Sequence, residues 1–131
     1  MAIEARSNTM FADPQVITIN GVGKSLNRIG SGNGTSEYLL RTATEEFRLN
    51  IRNTSYTDKK RAVQMDRHNV EFVHTVFGVA PAVDMKRKTY FVFENQKGDT
   101  LTDPVLDASG LLAWATATSN AALTKLVNYE A

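Results

Sequence analysis

Between Glu45 and Thr54 the chain alternates without a break: Phe47, Leu49 and Ile51 are apolar, and Arg48, Asn50 and Arg52 between them are polar. Successive side chains of a β-strand point to opposite faces, so the stretch reads as a strand with one dry face and one wet one. The same alternation returns in Met65–Phe77. There Val70, Phe72, His74 and Val76 share one face, and Arg67, Asn69, Glu71 and Thr75 the other. It returns again in Met85–Asn95, with Thr89, Phe91 and Phe93 opposed to Lys86, Lys88, Tyr90 and Glu94. Arg87 and Thr89 sit on the apolar side of that strand, which places this end near the sheet margin, outside any covering helix.

Shorter β-branched or apolar runs precede these. Gln15–Asn20 and Lys24–Ile29 read as two arms of a hairpin around Gly21-Val22-Gly23, and Glu37–Thr42 as a further strand joined through Ala43-Thr44 to the next. Gly30–Ser36, Ser55–Gln64 and Gly78–Asp84 read as loops, from glycine and serine, from polarity, and from Gly78 and Pro81 respectively. Residues 1–14 form an N-terminal arm with Phe11 as an anchor. After the last strand the period changes. Thr102-Asp103-Pro104 is a helix start, and Val105, Leu106, Leu111, Leu112 and Ala115 recur at helical spacing. Thr118-Ser119-Asn120 breaks that helix, and Ala121–Asn128 is a second, short one.

Six or seven strands followed by two helices define an α+β antiparallel meander with its helices on one face. The helices are too short to cover the apolar face of such a sheet. A second copy of the chain solves this by laying its helices across its neighbour. Leu111, Leu112, Trp114, Leu123 and Leu126 are then the candidate dimer interface.

Composition narrows the chemistry. A chain of 131 residues is expected to form one domain, and a net charge of +1 puts any anion binding into local pattern. There is no cysteine, so no thiol nucleophile, disulfide or Cys-based zinc site. No apolar run has the length of a membrane span and no secretory signal is present, so the chain is expected to stay in the cytoplasm where it is made, with no membrane partner. Gly21-Val22-Gly23-Lys24-Ser25 ends like a phosphate-binding loop, but Thr18 stands where the first glycine is required and no helix follows. His68 and His74 lie about 20 Å apart along one strand, too far to share a metal. No catalytic constellation emerges. The chain is read as a non-enzyme without cofactors.

The polar sheet face remains. Arg48, Asn50, Arg52, Arg67, Asn69, Glu71, Lys86, Lys88 and Tyr90 combine cations, amides and an aromatic ring, which suits phosphate contacts and base stacking. A plain solvated sheet face has the same composition. Glu71 and Glu94 fit base contacts or cross-strand ion pairs better than uniform phosphate reading.

This order of elements resembles the coat proteins of single-stranded RNA bacteriophages, the levivirus type, over nearly the whole chain. The likeness lies in the hairpin QVITIN–GVG–KSLNRI, the strands EFRLNIRNT and DRHNVEFVHTVF, the loop GVAPAVD, the strand ending FVFEN, and the close LTKLVNYEA. The resemblance implies one coat-protein domain over 1–131: an arm (1–14), an N-terminal β-hairpin (15–29), a five-stranded antiparallel sheet (36–95) and two C-terminal helices (102–128) that interlock with a partner subunit in a dimer. It implies assembly of dimers into an icosahedral shell in the virion. It further implies binding of genomic RNA, through a stem-loop, on the inner sheet face, with translational repression. The residues Gly78, Val79, Ala80, Pro81, Ala82, Val83 and Asp84 then form an inter-dimer loop at the symmetry axes. The long Tyr56–Gln64 connection and the long arm depart from the family pattern. The other reading is a small cellular dimeric RNA-binding α+β protein that forms no shell.

Overall fold

The structure is a computed structural model that describes residues 10–131, so the first part of the expected arm lies outside the described residues. Six strands run β1 (Gln15–Ile19), β2 (Val22–Gly32), β3 (Thr35–Arg41), β4 (Glu45–Asp58), β5 (Val63–Val76) and β6 (Met85–Gln96), and one helical element follows, α1 (Asp103–Val127). Each strand pairs with its neighbours in sequence, giving one six-stranded sheet in the order β1 to β6. The class is α+β, as the pattern predicts. A separate hairpin beside a five-stranded sheet is not what forms, because β2 is long enough to pair with β1 over Val22–Leu26 and then with β3 over Asn27–Gly32.

One expected turn shifts along the chain and two expected loops shrink to turns. The first hairpin turns at Asn20-Gly21, both with positive φ (50° and 77°), and Val22 and Gly23 already belong to β2. Two residues in this conformation twist in the sense that matches the strands, and Asn-Gly is the pair that adopts it most readily. The Gly30–Ser36 segment is mostly strand, leaving Asn33-Gly34 as the turn. Ser55–Gln64 is also largely strand, with a tip at residues 59–62 where Asp58 Oδ1 accepts from the main-chain N–H groups of Lys60 (3.1 Å) and Arg61 (3.4 Å).

The chain divides into two compact units, the first holding the described residues up to Thr54 together with His68–Val92, the second Ser55–Arg67 and Phe93–Ala131. In the first, Leu26, Tyr38, Phe47, Leu49 and Ile51 are buried, with Ile17, Ile19, Leu40, Val70 and Phe72 packed around them. Phe47 stacks on His74 with centroids 4.2 Å apart. His74 Nε2 lies 2.8 Å from Glu45 Oε1, and Arg87 Nη1 lies 3.3 Å from His74 Nδ1, so the polar end of β6's apolar side is satisfied by a histidine. Thr75, expected on the wet face, is buried. The described end of the arm is tied down by one side chain and one carbonyl: Asp13 Oδ1 accepts from the Arg28 main-chain N–H at 2.9 Å, and the Arg28 guanidinium donates to the Phe11 carbonyl. The Phe11 ring itself is exposed.

The Phe77–Asp84 connection closes on itself. Gly78 N–H donates to Asp84 Oδ1 at 2.8 Å, and Ala82 N–H to the Val79 carbonyl at 2.8 Å. Val79 and Val83 stand out at 84% and 87% exposure.

In the second unit, α1 starts at Thr102-Asp103-Pro104 as expected, but Thr102 is in a helical conformation and its side chain caps nothing. The Asp103 N–H is met instead by Thr100 Oγ1 at 3.0 Å. The helical path is interrupted where Thr118-Ser119-Asn120 predicts a break: Ala117 has ψ 152° and the next three residues have positive φ. No residue of α1 is buried. Among the described residues no helix is long and apolar enough to cross a membrane.

A methyl group on Gly78 would lie 2.5 Å from the carbonyl oxygens of both Ala82 and Val83. Gly78→Ala is expected to open the loop and lower stability by about 1–3 kcal/mol, read as a fall in the thermal midpoint; an unchanged midpoint would contradict this loop geometry.

Candidate nucleic-acid interface

The pleat that buries Phe47, Leu49 and Ile51 turns Arg48, Asn50 and Arg52 to the opposite face of β4. Cross-strand register adds β3 to that face, since Glu37 pairs with Asn50, Leu39 with Arg48 and Arg41 with Glu46. Side-chain contacts bring in β5 and β6. Glu71 is the hub. Its Oε1 accepts from Asn50 Nδ2 at 3.1 Å and lies 3.7 Å from Arg52 Nη2, and its Oε2 lies 3.7 Å from Lys88 Nζ. Thus Asn50, Arg52, Glu71 and Lys88 are brought together as the alternation predicts.

Arg48 belongs to a second cluster on the same face. It donates to Glu37 Oε2 at 2.6 Å and to Glu46 Oε2 at 3.2 Å, while Glu46 also accepts from Arg41. Lys86 and Tyr90 project from β6, Tyr90 at 62% exposure, and Lys86 makes no ion pair among the described residues. Asn69 is turned inward enough that its Oδ1 is buried without a hydrogen-bond partner.

Arg67 is not part of either cluster. In the second unit its Nε lies 3.4 Å from Glu94 Oε2, and Tyr56 donates to Glu94 Oε1 at 2.6 Å. That contact raises the Tyr56 pKa above its ordinary value, since ionisation would set a phenolate against a carboxylate.

Sequence reading therefore finds Arg48, Arg52, Lys88 and the Glu71 that joins the last two, and misses Glu37, Glu46 and Arg41. Glu37 and Arg41 join this face through the β3–β4 register, and Glu46 through the alternation of β4 itself. The hydrogen bond from Asn50 lowers the Glu71 pKa, burial opposes that shift, and Lys88 and Arg52 add to it. Glu46 is lowered chiefly by Arg41, and the Arg48 pKa is raised chiefly by Glu37. The face is thus a set of part-exposed ion pairs. Each pair is worth little to the fold, because water competes for both partners, and each can exchange its carboxylate for another anion at small cost. A phosphate bridging Arg52 and Lys88 has only to displace Glu71.

The fold has a solved counterpart. A structure described as an unassembled virus coat protein dimer, a bacteriophage RNA-binding dimer, superposes with a TM-score of 0.59 at 14% identity, covering 91% of this chain and 95% of that one. At that identity the likeness is one of fold, and it puts the chain in the bacteriophage coat-protein fold class. A profile of the coat protein of phage phiCb5 matches residues 12–96, which takes in every strand. The chain belongs to the phage phiCb5 coat protein family, and so to the structural proteins of the virion capsid. No curated protein sequence matches it.

Replacing Glu71 by Gln removes the competing charge while keeping an acceptor for Asn50. Glu71→Gln is expected to raise affinity for short single-stranded RNA several-fold and to steepen its salt dependence, measured by fluorescence anisotropy at two ionic strengths. Acid should act on the fold through the same groups. Folded Glu71 and Glu46 hold protons less readily than in the unfolded chain, so their stabilisation is present above about 4.5 and is lost as pH falls through their depressed values. Glu71→Gln should flatten that acid limb in a urea titration.

Proposed function

We infer that this coat protein assembles as homodimers into a closed icosahedral shell and that the polar face of β3–β6 binds single-stranded genomic RNA. The observation that carries the reading is α1. Leu111, Leu112, Trp114, Leu123 and Leu126 are all exposed in the single chain, Trp114 at 63%. An unpartnered apolar helix of this length is a surface awaiting a partner, and the fold counterpart is described as a dimer. In this reading the helices of one subunit interlock with those of the other. The exposed loop with Val79 and Val83 supports a role for Gly78–Asp84 in contacts between dimers. The chain is made in the bacterial cytoplasm and acts without catalysis.

On the RNA face the candidate contacts are Arg48, Asn50, Arg52, Asn69, Glu71, Lys86, Lys88 and Tyr90, with Arg67 as an outlying contact. The cations neutralise phosphates, Tyr90 offers a stacking surface, and the amides and Glu71 read polar base edges. Recognition of a stem-loop at a translation start would couple packaging to repression.

Expression of the chain alone, followed by electron microscopy and nuclease treatment, tests the reading. Uniform closed particles holding nuclease-protected RNA are expected; a soluble dimer that never assembles would favour the cellular RNA-binding alternative. Leu112→Asp or Trp114→Asp places a charge in the subunit contact and should leave monomers in light scattering, whereas particles from Leu112→Asp would contradict the helix assignment.

Lys86→Ala and Lys88→Ala separate the two kinds of cation. Lys86 has no carboxylate to displace, and Lys88 faces Glu71 at 3.7 Å. Lys86→Ala is expected to weaken RNA binding more, each variant losing up to roughly one unit of salt slope. Salt titrations identical to wild type for both would remove this face from the RNA contact.

A further inference from the structure

Three strands meet at one imidazole. His74 of β5 sets its Nε2 2.8 Å from Glu45 Oε1 of β4, and its Nδ1 3.3 Å from Arg87 Nη1 of β6. These neighbours decide where its hydrogen sits. A guanidinium only donates, so Nδ1 accepts with its lone pair; an ionised carboxylate only accepts, so Nε2 carries the hydrogen. The ring is therefore neutral in this arrangement. The three partners are unequally held. Glu45 belongs to the β3–β4 turn, where Thr42 Oγ1 accepts from its main-chain N–H at 3.1 Å and its carbonyl accepts from the Thr42 N–H at 2.8 Å. The His74 ring stacks on buried Phe47 and its side chain is 17% exposed. Arg87 is exposed, and it is the third residue of β6, just past the point where the Gly78–Asp84 loop enters the sheet.

A proton added to this ring has one place to go, Nδ1. There it sets a donor against the donor of Arg87 and a positive charge beside a positive charge. The same proton turns the Glu45 contact into a charge-assisted bond, which is stronger. The fixed pair tightens and the exposed guanidinium leaves. The other charges around the ring do not reverse this exchange. Lys24 of β2 lies with its Nζ 5.4 Å over the Phe47 ring on which His74 stacks, and adds to the positive potential. β3 sets only Leu40 opposite Phe47. In the loop, Asp84 Oδ1 is engaged by the Gly78 N–H. The β5 end of the connection is tied separately, since the Phe77 N–H donates to the Thr44 carbonyl at 2.9 Å, a bond that no proton alters.

We propose that Glu45, His74 and Arg87 form a proton-operated latch: with His74 neutral it ties the start of β6 to β4 and β5, and protonation of Nδ1 expels Arg87 and frees the β6 end of the Gly78–Asp84 loop. Imidazole is the side chain whose ordinary range makes such a device work between about pH 5 and pH 8. The latch stands on its own geometry. Its consequence, that acid weakens contacts between dimers, rests on the reading of that loop given above.

Hydrogen–deuterium exchange of the full chain, corrected for the intrinsic pH dependence of exchange, tests the latch. Between about pH 8 and about pH 5, protection across residues 84–88 is expected to fall about tenfold, the loss of one charge-assisted hydrogen bond, with β4 unchanged. His74→Gln offers an amide N–H to Glu45 and a carbonyl to Arg87 but takes no proton, so it should keep this segment protected at both values. Arg87→Gln, at an exposed site, should leave it loose at both. His68→Gln should respond as the wild type does. Magic-angle spinning NMR of the chain with nitrogen-labelled histidine should show His74 Nδ1 without a hydrogen at the higher pH. A pH-independent segment, a response that survives both His74→Gln and Arg87→Gln, or a hydrogen on Nδ1 at the higher pH would overturn the latch. Electron microscopy at the two pH values separates the two levels of inference: particles that stay intact while the segment loosens remove the inter-dimer role of the loop and leave the latch.

Discussion

The pleat of β4 is the constraint on which the rest depends. Its period of two is geometric, so burying Phe47, Leu49 and Ile51 commits Arg48, Asn50 and Arg52 to the other side without any further choice. A register slip of one residue would put guanidinium groups into the core and phenyl rings into water. The hydrophobic effect that holds the sheet together is therefore also what aims the ionic face. The polar residues of β4 need no separate positioning device beyond the short turns on either side.

Those turns then decide which charges meet. Thr42 Oγ1 accepts from the main-chain N–H of Glu45 at 3.1 Å, and the Thr42 N–H donates to the Glu45 carbonyl at 2.8 Å, closing β3 onto β4. This closure sets Arg41 opposite Glu46 and Glu37 opposite Asn50. The face that results is ionic and close to self-neutralised. Such a face exerts little long-range pull on a polyanion and acts at short range, by partner exchange.

Much of this was legible beforehand. The alternation in β4 assigned its faces correctly from Phe47 to Arg52, and the break near Thr118 was visible as a cluster of poor helix formers; in β5 it failed at Thr75, which is buried. The misses have physical causes. Beyond Thr54 both faces of β4 are polar, so no period remains to mark the strand, and Ser55–Asp58 read as loop. Gly30 and Gly32 have low strand propensity, yet the ladder to β3 holds them extended. Glu37 and Glu71, the cross-strand partners of Arg48 and Arg52, lie on β3 and β5, and a sequence without register does not say which glutamate faces which arginine. The misplaced turn at Gly21–Gly23 and the helix start at Thr102, whose side chain caps nothing, came from taking residue type for conformation.

One further consequence follows from α1. The first unit is held by five buried hydrophobic residues, and the helix of the second unit buries none. The helix, with no buried residue, adds little to the stability of the single chain. Whatever covers the helix enters the folding equilibrium as a ligand that binds only the native form, and its effect grows with the logarithm of its concentration. Dilution then acts as a denaturant, and a melting temperature carries meaning only beside the concentration at which it was taken.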